Sequence, residues 1–287
     1  MLGAITGDVI GSVYEFKNTK DYSFPLFTGR SIYTDDSILT IAVAGWLLGD
    51  RDHSYEGLER ELVRYGKRYP HPMGGYGSTF HTWLFHPECL HDYGIDLPES
   101  PYDSPEGRHP YYSYGNGSAM RVSAVGWFFP TLRETLQMAA KSAAVTHDHP
   151  EGIKGAQATA AAIFMARTGE TKESIKSYIE EHFGYELFRS WYWYNQNYSW
   201  ESSCQGTVPP AIVAFLESTD FEDAIRKAVS MGGDSDTLAC ITGGMAEAFY
   251  GGVPKTMADK VLGMLPEVFK TVLSEMAGKT AYGKIFI

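Results

Sequence analysis

The chain has 287 residues, 44% of them hydrophobic and 21% charged, with 35 acidic against 24 basic side chains and a formal net charge of -11. This is ordinary globular usage, which excludes a disordered or fibrous polymer, and the acidic balance disfavours non-specific binding to nucleic acid or anionic lipid. The widely spaced Cys89, Cys204 and Cys240 give neither a disulfide framework nor a zinc-finger pattern, and they fit a reducing cytoplasm.

At the amino terminus, MLGAITGDVIGSVYEF lacks a basic leader region and carries Asp8 inside its short apolar run, so it does not read as a signal peptide. Glu15 follows Gly7-Asp8-Val9-Ile10-Gly11-Ser12 in a mostly apolar region. A carboxylate there needs a reason to be present, and a salt bridge would be reason enough. Next comes Tyr33-Thr34-Asp35-Asp36-Ser37, just ahead of the apolar run 38–48. That run, with a capping Asp36 before it and Gly49 behind it, predicts a buried helix too short to span a bilayer. Adjacent carboxylates and a hydroxyl are hard oxygen ligands suited to Mg²⁺ or Mn²⁺. The same residues also make an ordinary N-cap, and taken alone the cap is the better reading.

Gly74-Gly75-Tyr76-Gly77-Ser78 is a glycine-rich turn that permits close approach of a phosphate, with a plain turn as the alternative. The stretch 87–112 is rich in Pro, Asp and His without a clear period, and so long a loop in a compact domain predicts a lid or binding loop. Ser113-Tyr114-Gly115-Asn116-Gly117-Ser118 then leads into a helix whose free N–H groups favour a phosphate or diphosphate. No Walker-type lysine follows either glycine loop, which disfavours an NTPase. Helical spacing without period-two alternation recurs over 118–128, 132–145, 151–167, 210–216, 221–231 and 237–250. The expected fold is therefore all-α, one domain over 1–287, with no repeat or linker dividing it.

Thr146-His147-Asp148-His149-Pro150 closes one helix and opens the next; its histidines read as metal ligands, acid/base groups or caps. Joint metal binding by both is disfavoured, because side chains two apart on a helix do not share a face. The aromatic-dense stretch 185–200 reads first as a wedge buried between helices. Finally, Gly232-Gly233-Asp234-Ser235-Asp236-Thr237 repeats the character of the first acidic cluster and also precedes an apolar helix. If the two helices pack side by side, their carboxylates converge, and a pair of cations about 3.5 to 4 Å apart would resolve the repulsion.

In this order, GAITGDVIGSVYEF, YTDDS, GGYGS, SYGNGSAMR, THDHPEG and MGGDSDTLACITGGMAEAFYG resemble the ADP-ribosylglycohydrolase family over most of the chain. The resemblance implies an all-α fold with two divalent ions, Mg²⁺ or Mn²⁺, at the base of an ADP-ribose cleft. It implies Thr34, Asp35, Asp36, Asp234, Asp236 and Thr237 as metal ligands. Ser113, Tyr114, Gly115, Asn116 and Gly117 then correspond to the loop that holds the diphosphate, with Tyr114 stacked on adenine. Gly75, Tyr76 and Gly77 match a second diphosphate-facing turn, and His147 matches a histidine that contacts ADP-ribose. Glu15 matches an acidic residue near the metals, and Asp35 and Glu15 are the candidates for proton transfer. Ser37 and Ser235 stand where Thr is common, and are expected to point beside the ligands.

The implied activity is hydrolysis of the glycosidic bond between ADP-ribose and an acceptor, a protein or a small conjugate, with nucleic-acid-linked ADP-ribose also open. A cytoplasmic monomer without membrane association is expected. Rival readings are a binuclear phosphohydrolase and a catalytically silent ADP-ribose-binding protein on the same scaffold.

Overall fold

The computed structural model describes residues 1–93 and 100–280. Its helices run in the order α1 Leu2–Gly11, α2 Asp35–Gly49, α3 Tyr55–Arg68, α4 Ser78–Phe85, a 3₁₀ turn Pro87–Tyr93, α5 Gly117–Met120, α6 Ser123–Phe128, α7 Leu132–Ala144 and α8 Pro150–Arg167. They continue as α9 Lys172–Phe183, α10 Trp191–Asn197, α11 Cys204–Leu216, α12 Phe221–Ser230, α13 Ser235–Tyr250, α14 Lys255–Leu262 and α15 Glu267–Lys279. Among the described residues there is no strand, only isolated bridges between Thr34 and Met73 and between Gly115 and Ser203. No described helix is long and apolar enough to cross a membrane.

The organising contact lies between the first helix and a late one. Glycines recur every fourth residue in α1, at Gly3, Gly7 and Gly11, which sets them on one helical face. The face of α13 opposite them carries Ala239 and Gly243. A Cβ added to Gly7 would sit 1.9 Å from the Ala239 carbonyl oxygen, and one added to Gly11 would sit 2.5 Å from the Asp236 Cα. The two backbones therefore touch directly, and this brings 8–15 against the start of α13. Around α13, which is buried along most of its length, pack α8, α11 and α12, while α2 sits between α3 and α6.

The structure differs from the sequence reading at several places, each with a physical reason. The stretch 118–128 is two helices rather than one, broken at Arg121 and Val122, where the arginine side chain turns fully into the interior. Helix α11 begins at Cys204, not at Pro210, and holds Pro209 and Pro210 inside it. Pro210 cannot donate to the Gly206 carbonyl four residues back; the Tyr198 hydroxyl donates to that oxygen instead, at 3.1 Å. Where a lid was expected, 87–112 begins with a 3₁₀ turn, and the six positions 94–99 lie outside the described residues. Its later part is tied to α3 and α4. Tyr102 and Ser104 donate to the buried Glu59 carboxylate at 2.6 and 2.9 Å, and the buried Arg108 donates to the Trp83 carbonyl at 3.0 Å.

The aromatic stretch 185–200 is a buried wedge only in part. Tyr185 and Tyr194 are buried, whereas Phe188, Tyr192 and Trp200 stand exposed.

Candidate metal centre and ligand cleft

A cleft of about 420 Å³ opens where α1, α2, the 74–79 turn, the 113–117 loop and the start of α13 meet. Thr34 caps α2, so Asp35 and Asp36 occupy its first turn. Asp234 and Asp236 flank the start of α13 after a sharp turn at Gly232 and Gly233, whose φ values of 73° and 71° favour glycine. Asn18 clamps that turn from outside: its side chain donates to the Gly233 carbonyl and accepts from the Gly233 N–H, each at 2.9 Å. Close packing of α1 on α13 then sets carboxylates from distant parts of the chain on one floor. One group comprises Asp8, Asp36 and Asp236, and a second Glu15, Asp234 and Asp236, with ligand atoms within 4.8 Å of one another in each. Asp236 is common to both; Asp35 lines the cleft beside them but belongs to neither.

Hydrogen bonding separates these carboxylates into two kinds. Asp8 accepts from the Thr34 N–H at 2.9 Å, the Thr34 hydroxyl at 2.7 Å, the Ser37 N–H at 3.1 Å and the Ser37 hydroxyl. Its lone pairs are thus spent on holding the amino end of α2. Ser235 likewise points aside, donating to the Gly11 carbonyl at 3.2 Å. By contrast, the buried Asp36 Oδ1 and Glu15 Oε2 have no hydrogen-bond partner. Thr237 donates to the other Asp36 oxygen at 3.3 Å, and the Asn116 amide donates to Asp234 at 2.7 Å.

Burial and mutual repulsion raise the proton affinity of this floor. Burial pushes Glu15 up to about 7, helped by the Asp234 and Asp8 charges. It lifts Asp8 to about 6 against the opposing Ser37 and Thr34 hydrogen bonds. Asp35, Asp36 and Asp236 are held well above the usual carboxylate range, by burial first and neighbouring aspartates second. No lysine or arginine is among the main causes of these shifts, and among the described residues none forms a salt bridge with these carboxylates. An all-oxygen donor set with unpartnered buried oxygens and no counter-charge fits hard divalent cations.

The facing wall has the opposite character. Ser113, Gly115, Asn116 and Gly117 line the cleft, and the loop is fixed by bonds from the Asn116 N–H to the Ser202 carbonyl and from the Cys204 N–H to the Tyr114 carbonyl, both 2.8 Å. Both Asn116 nitrogens are therefore engaged inside the protein, and the side chain braces Asp234 rather than pointing free. His147 and Arg121, both buried, complete this wall. Gly75, Tyr76 and Gly77 line the cleft from a third side, where the Tyr76 hydroxyl donates to the Tyr69 carbonyl at 2.9 Å. Gly74 lies against Glu15: a Cβ there would come within 2.6 Å of Oε2.

Not every expected residue lines the cleft. Tyr114 is 52% exposed, its ring edge-on to His149 outside the lining. Thr34 is fully buried beneath the floor. Sequence reasoning missed Asp8, Asn18, Arg121 and Thr146. The signal for Asp8 was a carboxylate on a helix whose other faces are apolar. At the mouth, Phe16 stacks on Trp200 with ring centroids 5.6 Å apart, and Trp200 also borders an adjoining groove with Tyr185, Arg189 and Glu201.

Comparison with known proteins gives the chain a family. The ADP-ribosylglycohydrolase family profile matches residues 1–284. The chain is 25% identical to human ADP-ribosylhydrolase ARH3, over 88% of this chain and 84% of that protein. It is 23% identical to ADP-ribosylarginine hydrolase Tri1 of Pseudomonas putida, over 91% of this chain and 72% of the relative. A solved chain of an ADP-ribosylglycohydrolase-related protein complex superposes with a TM-score of 0.68 at 20% identity, covering 100% of this chain and 97% of that one, so the fold is shared. With helices, acidic floor and sequence in agreement, the chain belongs to the ADP-ribosylglycohydrolase family and is an enzyme of that family.

Proposed function

We propose that the enzyme releases ADP-ribose from an acceptor by cutting the glycosidic bond, using two divalent cations, Mg²⁺ or Mn²⁺, held by Asp36, Asp234 and Asp236 with Thr34, Asp35 and Thr237 around them. The observation that carries the reading is the convergence of carboxylates from α2 and α13 on one cleft floor without a basic partner. Asp236, common to both acidic groups, would contribute to holding the cations at either. Bound there, the ions supply electrostatic stabilisation and bring the pKa of water toward neutrality.

The protein's own groups divide the remaining work. Positive charge develops at the anomeric carbon in the transition state, and the carboxylate floor would stabilise it. Glu15, at the cleft edge, takes or gives a proton, with Asp35 as the alternative; in the cation-free protein burial and the Asp234 and Asp8 charges raise its pKa. Asp8 acts at one remove, by fixing Thr34 and Ser37. We assign the diphosphate to the wall formed by Ser113, Gly115, Gly117 and His147, with Gly75, Tyr76 and Gly77 opposite and Tyr114 at the outer edge for the adenine. The acceptor then leaves past Phe16 and Trp200.

The test is to incubate the protein with arginine-linked, serine-linked and nucleic-acid-linked ADP-ribose and to analyse the products. Free ADP-ribose from one linkage is expected, lost in excess EDTA and restored by Mg²⁺ or Mn²⁺. AMP or inorganic phosphate in its place would assign phosphoryl chemistry. Tight ADP-ribose binding without turnover of any linkage would leave a binding protein.

A further inference from the structure

The wall facing the acidic floor contains a buried hydrogen-bond chain. Arg121 is fully buried, and its Nη2 donates to the Ser142 carbonyl at 2.9 Å and to the Thr146 hydroxyl at 2.8 Å. The same hydroxyl lies 2.7 Å from His147 Nδ1. Guanidinium nitrogens only donate, so the Arg121 bond occupies a lone pair of the Thr146 oxygen and leaves its single proton to be placed. His147 Nδ1 is the partner at hydrogen-bond distance, with the Tyr111 hydroxyl the further alternative. Had Nδ1 carried a proton, the threonine hydroxyl would accept twice and its own proton would have to turn to the Tyr111 oxygen, the other polar group facing it, which makes a poorer bond than the 2.7 Å contact to Nδ1. Nδ1 therefore accepts, and in a neutral imidazole the proton must then sit on Nε2.

Nε2 is the ring nitrogen turned toward the 113–117 loop. It lies 3.0 Å from where a Cβ on Gly117 would be and 3.5 Å from one on Gly115, against the loop assigned to the diphosphate. Burial and the adjacent Arg121 charge hold the ring well below its ordinary pKa, so it stays neutral. Arg121 has no carboxylate partner among the described residues, and its Nε and Nη1 are buried without partners. Its charge therefore remains available to an anion on this wall.

We propose that Arg121 and Thr146 are positioning residues that fix His147 as the Nε2–H tautomer, making it a permanent hydrogen-bond donor to a phosphate oxygen of the bound ligand. The proposal rests on the reading that the cleft takes ADP-ribose, and its test separates the two. Ring ¹⁵N–¹H correlation spectra of the ligand-free protein, with His147 assigned by its loss in His147→Gln, report the tautomer directly. A pyridine-like Nδ1 and a pyrrole-like, protonated Nε2 are expected; a protonated Nδ1 with a bare Nε2 overturns the proposal.

Thr146→Val removes the hydroxyl. It should move the ring to a mixture of tautomers and weaken ADP-ribose binding roughly tenfold by calorimetry, while Thr146→Ser restores both. An unchanged tautomer together with unchanged affinity in a folded Thr146→Val overturns the proposal. Should that variant fail to fold, the wild-type ring spectrum decides the tautomer alone. Absence of ADP-ribose binding by the wild type would instead remove the functional reading and, with it, the ligand that His147 is proposed to contact.

Discussion

The two ends of the cleft are built on opposite principles. On the floor, carboxylates crowd together without counter-charge, and two of their buried oxygens, on Asp36 and Glu15, have no partner. On the facing wall, Arg121 is buried without a carboxylate beside it, and Gly115 and Gly117 bring backbone close to His147. Each end is unfavourable alone, since a buried charge without a partner costs stability. Together they suit the proposed ligand, with cations at one end and an anion at the other. Asn116 joins the ends physically, because the loop that bears it forms the wall while its amide holds Asp234 of the floor at 2.7 Å.

This contrast predicts that floor and wall variants fail differently. Asp234→Ala and Asp236→Ala should each lower turnover about a hundred- to a thousandfold, the scale of losing an electrostatic stabiliser at a reacting centre. Calorimetry should show cation binding lost with them; full cation affinity in both variants would break the assignment of the floor.

On the wall, Gly117→Ala would press a methyl toward His147 Nε2, 3.0 Å away. A loss of about tenfold in ADP-ribose affinity is expected, with cation affinity intact. Equal damage to both affinities would mean that the two ends are not separable.

Between these and the smaller effects stands the scaffold. Gly7→Ala would drive a Cβ to 1.9 Å from the Ala239 oxygen, overpacking the α1–α13 contact at a cost of about 1–3 kcal/mol. For a chain of this size that is a fall of roughly 2–4 °C in Tm per kcal/mol, read by calorimetry. An unchanged Tm would show that the helices separate freely.

The smallest effect is one of pH. Glu15 binds its proton with a folded pKa of about 7, against an ordinary value of 4.5, and Asp8 is raised in the same sense, to about 6 from 3.8. The folded state therefore holds more protons than the unfolded one between these values, and stability falls as pH rises through that window. The cation-free protein should lose Tm from about pH 4.5 to 7, and added Mg²⁺ or Mn²⁺ should restore most at the upper end. A Tm that rises across that window without cations would contradict the electrostatics of the floor.

Much of this was written in the sequence, though unevenly. Helices α2, α7, α8, α12 and α13 follow apolar runs with clear caps, and the DDS and DSD clusters sit where those caps lie. Helix α1 was not recognised, because three glycines make a poor isolated helix; only α13 gives them a purpose. Asp8 was hidden with it, since a carboxylate inside an apolar run looks like an interruption until Thr34 and Ser37 are brought alongside.

Helices α3 and α9 escaped notice for another reason: their apolar residues form a narrow stripe among charged ones, so composition does not mark them, although spacing does. The chain Arg121–Thr146–His147 lies beyond sequence reading, because Arg121 comes 25 residues before the Thr146-His147 pair and the meaning of the contact depends on where a single proton rests.

Crystals of the protein soaked in Mn²⁺ and measured at the manganese absorption edge test the account at its centre. Two anomalous peaks about 3.5 to 4 Å apart, enclosed by Asp36, Asp234 and Asp236, are the predicted result. A map with no peak there, at Mn²⁺ concentrations that support full release of ADP-ribose, would contradict it.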